Sequence, residues 1–341
     1  MAPIGNEIFG RPVLLDIQAR VQSNTNNYIA ERILRASPLM QLLNWDTSRD
    51  LTKVYTRRQI ARVGQLRAIN TDYAPKFAGG ETQVTTNLAI MGDAYEWDRV
   101  LGAVDPAQVE EQVQAMAPGI GNRFADLMIN GNRGTNVLEF DGLDAIATAI
   151  GGNAVQTGLD LTVTDASVNN LAFRKNTAKL VKAIRQMVAL GLRPVIIGNT
   201  DVQGAVDLAA GILPASRTVS DYFGGASINT IAGAALVDAG MANVYGTPAT
   251  VNGRQVYPVT QEEVIPSDTT TGIVTDIYVI GVGAGGVSGI TLDGFDARSP
   301  VRFQTARTDA GAVHRAEVEI VAGIQVLDER AVIKFSDAKV G

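Results

Sequence analysis

The sequence predicts an α+β fold in which a packed body carries arms too long to be stable on their own. Three observations predict it: a long helix with one apolar stripe, a β-rich second half, and two extended segments on either side of a turn. With 341 residues, 46% of them hydrophobic, the chain is long enough for about two compact modules.

The first 48 residues are unlike a domain and are predicted to form an arm. Residues 28–35 carry Ile29, Ile33 and Leu34 at helical spacing, and we expect Pro38 to end this short helix. A segment this short cannot bury its apolar face alone, so we expect it to lie against other structure.

Residues 49–100 form two arms around a turn-rich tip. The return arm is predicted to be a strand, because apolar and polar side chains alternate from Val84 to Ile90. The outgoing arm is ambiguous between helix and strand, since apolar residues recur there every three positions, at Ile60, Val63, Leu66 and Ile69.

The two arms carry opposite charges. The basic residues of the outgoing arm are Lys53, Arg57, Arg58, Arg62 and Arg67, and the acidic residues on or after the return are Glu81, Asp93, Glu96 and Asp98. A long two-stranded ribbon is marginal alone and needs a neighbour to lie on. The alternative interpretation is a loosely charged surface hairpin.

Residues 105–130 give the clearest helix signal. Asp105 can cap the helix and Pro106 suits its first turn. A single apolar stripe follows, formed by Val109, Val113, Met116, Ile120, Phe124 and Leu127. We expect Pro118 and Gly119 to kink or break this helix and Gly131 to end it. A plain core helix would show the same pattern.

A second helix is predicted to begin at Asp165 or Ser167 and to run to Gly191. Leu171, Leu180, Ile184 and Met187 form its apolar face, and Lys175, Lys179, Lys182 and Arg185 lie on the other side. Such basic runs are most often solvated, and contact with nucleic acid is the alternative.

Strands dominate the remainder of the predicted structure. Residues 194–197 form a predicted buried strand that leads into a capped helix at 198–201. Asn252-Gly253 predicts a tight hairpin turn, and the alternation over residues 316–320 predicts a further strand.

Composition excludes several classes of protein. The chain has no cysteine and one histidine, His314, so thiolate sites and sites with several imidazoles are excluded. A net charge of −6 argues against a protein built mainly to grip phosphate backbones. No stretch has the length of a membrane helix and no signal peptide is visible, so we expect a soluble product made in the cytoplasm.

One enzyme motif matches by spacing. Residues 281–286 (GVGAGG) fit the glycine pattern of dinucleotide-binding loops, but turn and strand residues follow where the motif needs a helix. We therefore interpret the segment as a glycine-rich β-loop. His314 has no identifiable catalytic partner and the aspartates show no metal-like spacing. We expect no enzyme activity, no cofactor and no metal.

Taken in order, short segments of the chain resemble the tailed-bacteriophage major capsid proteins of the Hong Kong 97 type. The segments are GDAYEWDRVL at 92–101, INGN at 129–132, EFDGL at 139–143, IYVI at 277–280, GVSGI at 286–290 and GIQVLDERA at 323–331. Each is weak alone, and their order over about 90% of the chain carries the resemblance.

The resemblance implies a Hong Kong 97-like capsid fold. Its parts would be an N-terminal arm (1–48), an extended β-hairpin loop (49–100), a peripheral domain (101–190 and 301–341) with a spine helix (105–130), and an axial domain (191–300). It also implies pentamers and hexamers that close an icosahedral shell around double-stranded DNA, held without sequence-specific contact. The virion would be assembled in the host cytoplasm with a separate scaffolding protein, a portal and a decoration protein.

The residues expected to make assembly contacts are Lys53, Arg57, Arg58, Arg62, Glu96 and Asp98. Our hypothesis is that Arg57, Arg58 and Arg62 meet acidic groups of an adjacent subunit. Some relatives crosslink through a lysine of the loop, and Lys76 lies near the tip, but no asparagine or assisting glutamate can be matched to it. The alternatives are an encapsulin-type compartment shell and a dinucleotide-binding enzyme.

Overall fold

The computed structural model describes residues 33, 37–59, 65–73, 80–98, 100, 106–162, 171–209, 216–223, 226–251, 254–270, 272–292, 301–304 and 313–341. In this part the chain mixes helices with a large sheet, which confirms the predicted α+β class. The helices described are α1 (Pro38–Leu42), α2 (Pro106–Asn130), α3 (Leu143–Ile150), α4 (Leu171–Ala189) and α5 (Thr200–Ala209).

Strands account for most of the remaining described chain. In sequence order they are β1 (Trp45–Ser48), β2 (Thr52–Arg58), β3 (Glu81–Asn87), β4 (Ala89–Asp98), β5 (Val155–Thr157), β6 (Arg193–Gly198), β7 (Ser216–Phe223), β8 (Ala226–Ile231), β9 (Ala234–Asp238), β10 (Met241–Tyr245), β11 (Ala249–Val251), β12 (Arg254–Val256), β13 (Val259–Glu263), β14 (Ser267–Asp268), β15 (Val274–Val282), β16 (Val287–Leu292), β17 (Val301–Gln304), β18 (Val313–Val326) and β19 (Val332–Lys339).

A 13-stranded sheet forms the body, with the main order β17-β18-β16-β15-β6-β9-β8-β7. Its central strands are buried on both faces. Val195 and Ile197 of β6 belong to the core that contains α2, whereas Ile196 belongs to the core that contains α4 and α5. Because successive side chains of a strand point to opposite faces, α2 lies on one side of the sheet and α4 and α5 on the other.

We expected Pro118 and Gly119 to kink or break helix α2. The helix is continuous through Pro118, so it does not break there. Met116, Ala117 and Ile120 are all buried in the core around this point. Their burial outweighs the one backbone hydrogen bond that proline removes, because tertiary packing supplies most helix stability. The predicted stripe is confirmed at Met116, Ile120, Phe124 and Leu127, and Asp105 and the side chains of Val109 and Val113 lie outside the described part.

The extended loop begins as a hairpin. Strand β2 pairs antiparallel with β3 from Thr52↔Asn87 to Arg58↔Glu81, so the helical alternative is wrong for this part of the outgoing arm. Residues 65–68 are also not helical, and Ile60 and Val63 lie outside the described residues.

The return arm is confirmed as strand, with a break at Leu88 between β3 and β4. The Leu88 N–H donates to the Leu51 carbonyl at 2.8 Å. After this break Ala89 and Met91 are buried and Ile90 is 57% exposed, so the buried positions have moved by one residue. A one-residue shift exchanges the faces of a strand.

The residues around Pro38 contain a helix that was not predicted from the sequence. Pro38 begins a short helix, α1, and the Ser37 side chain accepts a hydrogen bond from the Met40 N–H at its start. Proline is favoured at the first helical position because its missing N–H is not needed there. Ile33 is buried, and the other residues of the predicted helix at 28–35 lie outside the described part.

Several later predictions are confirmed, while the predicted start of the second helix at Asp165 or Ser167 lies outside the described part. Helix α4 buries Leu180, Ile184 and Met187, and β6 leads into α5 with the Asn199 side chain accepting from the Val202 N–H. Val251 pairs with Arg254, the two residues on either side of Asn252-Gly253, and the predicted turn residues themselves lie outside the described part. Residues 283–286 connect β15 to β16, as expected of a glycine-rich β-loop.

Candidate functional site

The base of the projecting hairpin is fixed to the body through β18. Arg57 Nε donates to the Val326 carbonyl at 3.1 Å, and Arg57 Nη2 donates to Tyr55 Oη at 3.2 Å. Tyr55 Oη accepts from the Val326 N–H at 3.3 Å, and Thr86 Oγ1 donates to the Ile324 carbonyl at 3.0 Å. We call Tyr55, Arg57 and Thr86 the hairpin anchor.

The hairpin anchor lies where β18 loses a neighbouring strand. Strand β4 pairs with β18 only as far as Ala89↔Ala322, whereas β16 pairs with it on to Val326. On the side of β18 where β4 would lie, the backbone groups of Ile324 and Val326 therefore have no neighbouring strand to bond with. Buried backbone groups must be paired, and here side chains of the hairpin replace the missing strand. This arrangement fixes where the hairpin leaves the body.

Arg58 has a different environment from Arg57. Its backbone N–H donates to the Leu327 carbonyl at 2.7 Å, while its side chain is exposed. The neighbouring Asp328 accepts hydrogen bonds from Arg330 Nε at 2.9 Å and Nη2 at 2.7 Å. Burial alone would raise the pKa of Asp328, but these bonds and the charges of Arg330 and Arg58 outweigh burial and lower it.

Lys53 pairs within its own chain. Its Nζ lies 2.5 Å from Asp46 Oδ2 on β1. This bond is the main cause that lowers the pKa of Asp46. The pair connects the start of the hairpin to a strand of the body. Because the Asp46 side chain is 55% exposed, solvent screens the pair and its contribution to stability is small.

Glu96 and Asp98 lie near the far end of β4. They are paired in register with Arg315 and Val313 of β18, whereas Lys53, Arg57 and Arg58 lie on β2, which pairs with β3. Asp98 Oδ1 accepts from the Val100 N–H at 2.7 Å. Five of the six expected contact residues therefore occupy two separate regions, and the sixth, Arg62, lies outside the described residues.

Residues 65–73 are the described distal end of the outgoing arm, which we call the hairpin tip, and they expose large apolar side chains. Leu66 is 102% exposed and Ile69 is 90% exposed, as much as in an extended peptide. Arg67 stacks over the Tyr73 ring at 5.6 Å and donates to the Thr71 carbonyl at 3.2 Å. The tip thus has local order, and Leu66 and Ile69 are left exposed by the part of the chain that the structure describes.

The glycine-rich segment 281–286 and the acidic residues are the parts of the chain closest in composition to a cofactor or metal site. The glycine-rich segment joins two strands, so no helix N-terminus follows it to hold a pyrophosphate. In the described part of the chain, no group of three or more histidine, aspartate or glutamate residues could hold a metal ion. The helices described there are also too short or too polar to cross a bilayer.

No protein-family model matches the sequence, and a comparison with curated proteins also gave no match. Solved structures do match. The holo-SrpI encapsulin complex from Synechococcus elongatus PCC 7942 has a TM-score of 0.56 at 14% identity, over 89% of this chain and 87% of that chain. The capsid of the empty GTA particle has a TM-score of 0.56 at 13% identity, over 89% and 90% of the two chains.

A third structure, the cyanophage A-1(L) capsid, has a TM-score of 0.52 at 10% identity, over 89% of this chain and 93% of that chain. This chain has the Hong Kong 97-type fold. The matches span nearly the whole length of both partners, so the fold predicted from the ordered segments is confirmed. At these identities the similarity is one of fold.

Sequence reasoning missed most of the hairpin anchor. Arg57 was expected to face a neighbour, but its guanidinium bonds to Val326 and Tyr55 of its own chain. Tyr55 and Thr86 were not singled out at all. A usable signal exists for two of them: Tyr55 and Arg57 are two apart on a strand and therefore lie on one face.

Proposed function

We propose that the protein is a major capsid protein whose copies form pentamers and hexamers and close an icosahedral shell around double-stranded DNA. The observation that carries the proposal is the fold, which matches capsid and encapsulin structures over 89% of the chain. The exposed apolar side chains of the hairpin tip add a physical reason, because exposed apolar surface at the end of a projecting loop is a surface that a neighbouring subunit can cover.

The domain boundaries belong to this proposal. The N-terminal arm would be 1–48, the extended loop 49–100, the peripheral domain 101–190 with 301–341, and the axial domain 191–300. The strands of the last two regions share one sheet, so the two domains would move as one body. The hairpin, whose described bonds to the body lie at its base, is the part suited to reach a neighbour.

The assembly contacts remain part of the proposal. Arg58 is exposed beside the hairpin anchor, and Arg62 continues the same basic arm. We expect the pair Arg58→Glu and Arg62→Glu to give soluble, folded subunits that assemble poorly, since an acidic patch on the neighbour would then be repelled. Sedimentation of assembly reactions measures this, and unchanged shells would remove the two arginines from the interface. Lys53, Glu96 and Asp98 are further candidate contacts.

Partners and location follow from the same proposal. The chain would act mainly with copies of itself, and a scaffolding protein, a portal and a decoration protein would complete the particle. The mature location would be the virion, after assembly in the host cytoplasm. Catalysis has no part in this function.

An encapsulin-type compartment is the second candidate. The specific observation that favours it is the TM-score of 0.56 for the encapsulin complex, equal to that of the GTA capsid. A compartment would enclose cargo protein in place of DNA.

Electron microscopy and light scattering of the purified full chain test the function. The capsid proposal predicts closed particles, and co-expression with the packaging components should give nuclease-resistant DNA inside them. Shells that hold protein cargo would favour the compartment. A compact monomer under all assembly conditions, with residues 53–98 protected from proteolysis by its own body, would contradict both.

A further inference from the structure

Helix α4 carries a row of basic side chains on its outer face. Lys175, Lys179, Lys182 and Arg185 are exposed, and their spacings of four, three and three keep them along one side of the helix. Thr177, Leu180, Ile184 and Met187 are buried on the opposite side. We call the four exposed residues the basic stripe.

The charge of α4 is opposite to that of the whole protein. The helix sequence LAFRKNTAKLVKAIRQMVA contains five basic and no acidic residues. The full chain has a net charge of −6, so the remainder carries −11 (−6 minus +5). Within the described residues, none of the ion pairs involves Lys175, Lys179, Lys182 or Arg185. A concentrated positive field thus remains on an otherwise acidic molecule.

Lys179 makes one hydrogen bond within its own chain. Its Nζ donates to the Gly158 carbonyl at 2.7 Å, which orients the side chain without neutralising its charge. The other three basic side chains of the stripe are free to be changed without loss of a described contact.

The residues on this face of α4 fit a polyanion better than a protein as the binding partner. Protein interfaces depend on apolar or aromatic residues at their centre. The positions between the basic residues here are small or polar, such as Ala178 and Gln186. The exposed Val188 comes three residues after Arg185, beyond the end of the stripe, and is not between its basic residues. Phosphate backbones need only a row of cations, because release of condensed counterions supplies the binding free energy.

We propose that the basic stripe is the surface through which the protein contacts the phosphate backbone of duplex DNA. The inference rests on the proposed function, since it names the face of the subunit that meets the enclosed DNA. Contacts to phosphates carry no sequence information, so the binding is independent of base sequence. The contact is weak for one copy and adds up over the many copies of a shell.

The test uses the full chain and a matched pair of triple variants. The stripe variant is Lys175→Gln, Lys182→Gln and Arg185→Gln, which leaves Lys179 and its bond to Gly158 intact. The control variant is Arg49→Gln, Arg133→Gln and Lys339→Gln, three exposed residues elsewhere. Both lose three positive charges, so general electrostatics change equally. Binding of unassembled subunits to a short DNA duplex is followed by fluorescence anisotropy as salt is raised.

The native chain should lose affinity with salt, with a log–log slope of about −3.6 for four phosphate contacts. The stripe variant should bind more weakly, with a slope of about −0.9, and the control variant should match the native chain. An equal loss of DNA affinity in the stripe and control variants would overturn the proposal. Absence of DNA binding by the native chain would also overturn it. Equal binding of the native chain to polyglutamate would also overturn it and indicate an acidic protein partner.

Electron microscopy of the same three proteins separates this inference from the proposed function. If the stripe variant forms shells but no longer binds DNA, the result supports both the capsid proposal and the role of the basic stripe. Shells formed by all three proteins with unchanged DNA binding leave the capsid proposal standing and remove only the stripe. Failure of the native chain to form particles contradicts the capsid proposal directly.

Discussion

At the scale of single residues, the buried charge of Arg57 shows how the hairpin is held. We expect Arg57→Met to lower the free energy of unfolding by about 1–3 kcal/mol, because the Val326 carbonyl and Tyr55 hydroxyl lose a charged donor in a buried place. Urea unfolding of unassembled subunits measures this.

The adjacent Arg58→Met is the matched control. Its side chain is exposed, so its effect should stay within about 0.5 kcal/mol. If Arg57→Met lowered the free energy of unfolding as little as Arg58→Met, the side chain of Arg57 would not contribute to folding.

Asp328 makes the stability of the same region depend on pH. Its pKa is lowered from 3.8, so its stabilisation is present above that value and is lost as the pH falls through the lower folded pKa. We expect Asp328→Asn to cost about 1–3 kcal/mol at neutral pH, with the difference from the native chain shrinking below about pH 3.8.

Urea unfolding at a series of pH values checks the Asp328 prediction. Asp72→Asn, a change at an exposed carboxylate, serves as the control for the loss of one negative charge. A cost for Asp328→Asn that stays constant down to pH 2 would show that its bonds to Arg330 do not depend on ionisation.

Residue roles differed in how well the sequence predicted them. The cap of α5 was predictable, because Asn199 and Val202 are three positions apart and local sequence decides such a bond. The hairpin anchor was not, because Arg57 and Val326 are 269 positions apart. Nothing local distinguishes an arginine that faces a neighbour from one that pairs with a distant backbone.

At the scale of elements, two glycines allow the chain to fold back at the end of α2. A Cβ on Gly142 would lie 2.6 Å from the Ile129 carbonyl oxygen and 2.8 Å from the Gly131 backbone nitrogen. These atoms belong to backbone and cannot move aside. We expect Gly142→Ala to destabilise the protein by about 1–3 kcal/mol or more, measured by thermal unfolding.

Gly204→Ala gives the opposite expectation in the same assay. Gly204 lies inside α5 and a Cβ there meets nothing within 4 Å. The substitution should stabilise by about 0.5–1 kcal/mol, because alanine loses less backbone entropy in a helix. If Gly142→Ala were neutral, the close packing of the two glycine-containing segments would be wrong.

Elements were predictable where periodicity was long and unbroken. Helices α2 and α4 and strands β6 and β18 follow from their patterns. Of the kink or break expected at Pro118, the break does not occur, because the pattern says nothing about the packing that keeps α2 helical on both sides of the proline. The outgoing arm was ambiguous because its strand pairing depends on β3, more than twenty positions later.

At the scale of the whole molecule, the order of the segments carried more information than any one of them. EFDGL at 139–143 and INGN at 129–132 are short, yet they meet in space, where the Gly142 N–H donates to the Gly131 carbonyl at 2.7 Å. The fold was therefore predictable from sequence. The surfaces that join copies were not, because a single sequence does not distinguish a solvated face from an interface.

The exposed hairpin tip predicts how two substitutions change assembly without changing the folding of the subunit. Leu66→Ser with Ile69→Ser should leave the folding of unassembled subunits unchanged, because both side chains are almost fully exposed there. If a neighbouring copy covers the tip, burial of each side chain contributes about 1.5–3 kcal/mol per contact. The protein concentration needed for assembly should therefore rise by at least about tenfold.

Light scattering of assembly reactions over a range of concentrations measures this threshold. Val137→Ser with Leu138→Ser is the matched control, since these two adjacent aliphatic residues are 77% and 78% exposed in the loop after α2. A raised threshold in the tip variant alone would locate the covering neighbour at the hairpin. A normal threshold in the tip variant, with normal thermal unfolding, would mean that Leu66 and Ile69 stay in water in the shell and that assembly depends on other surfaces.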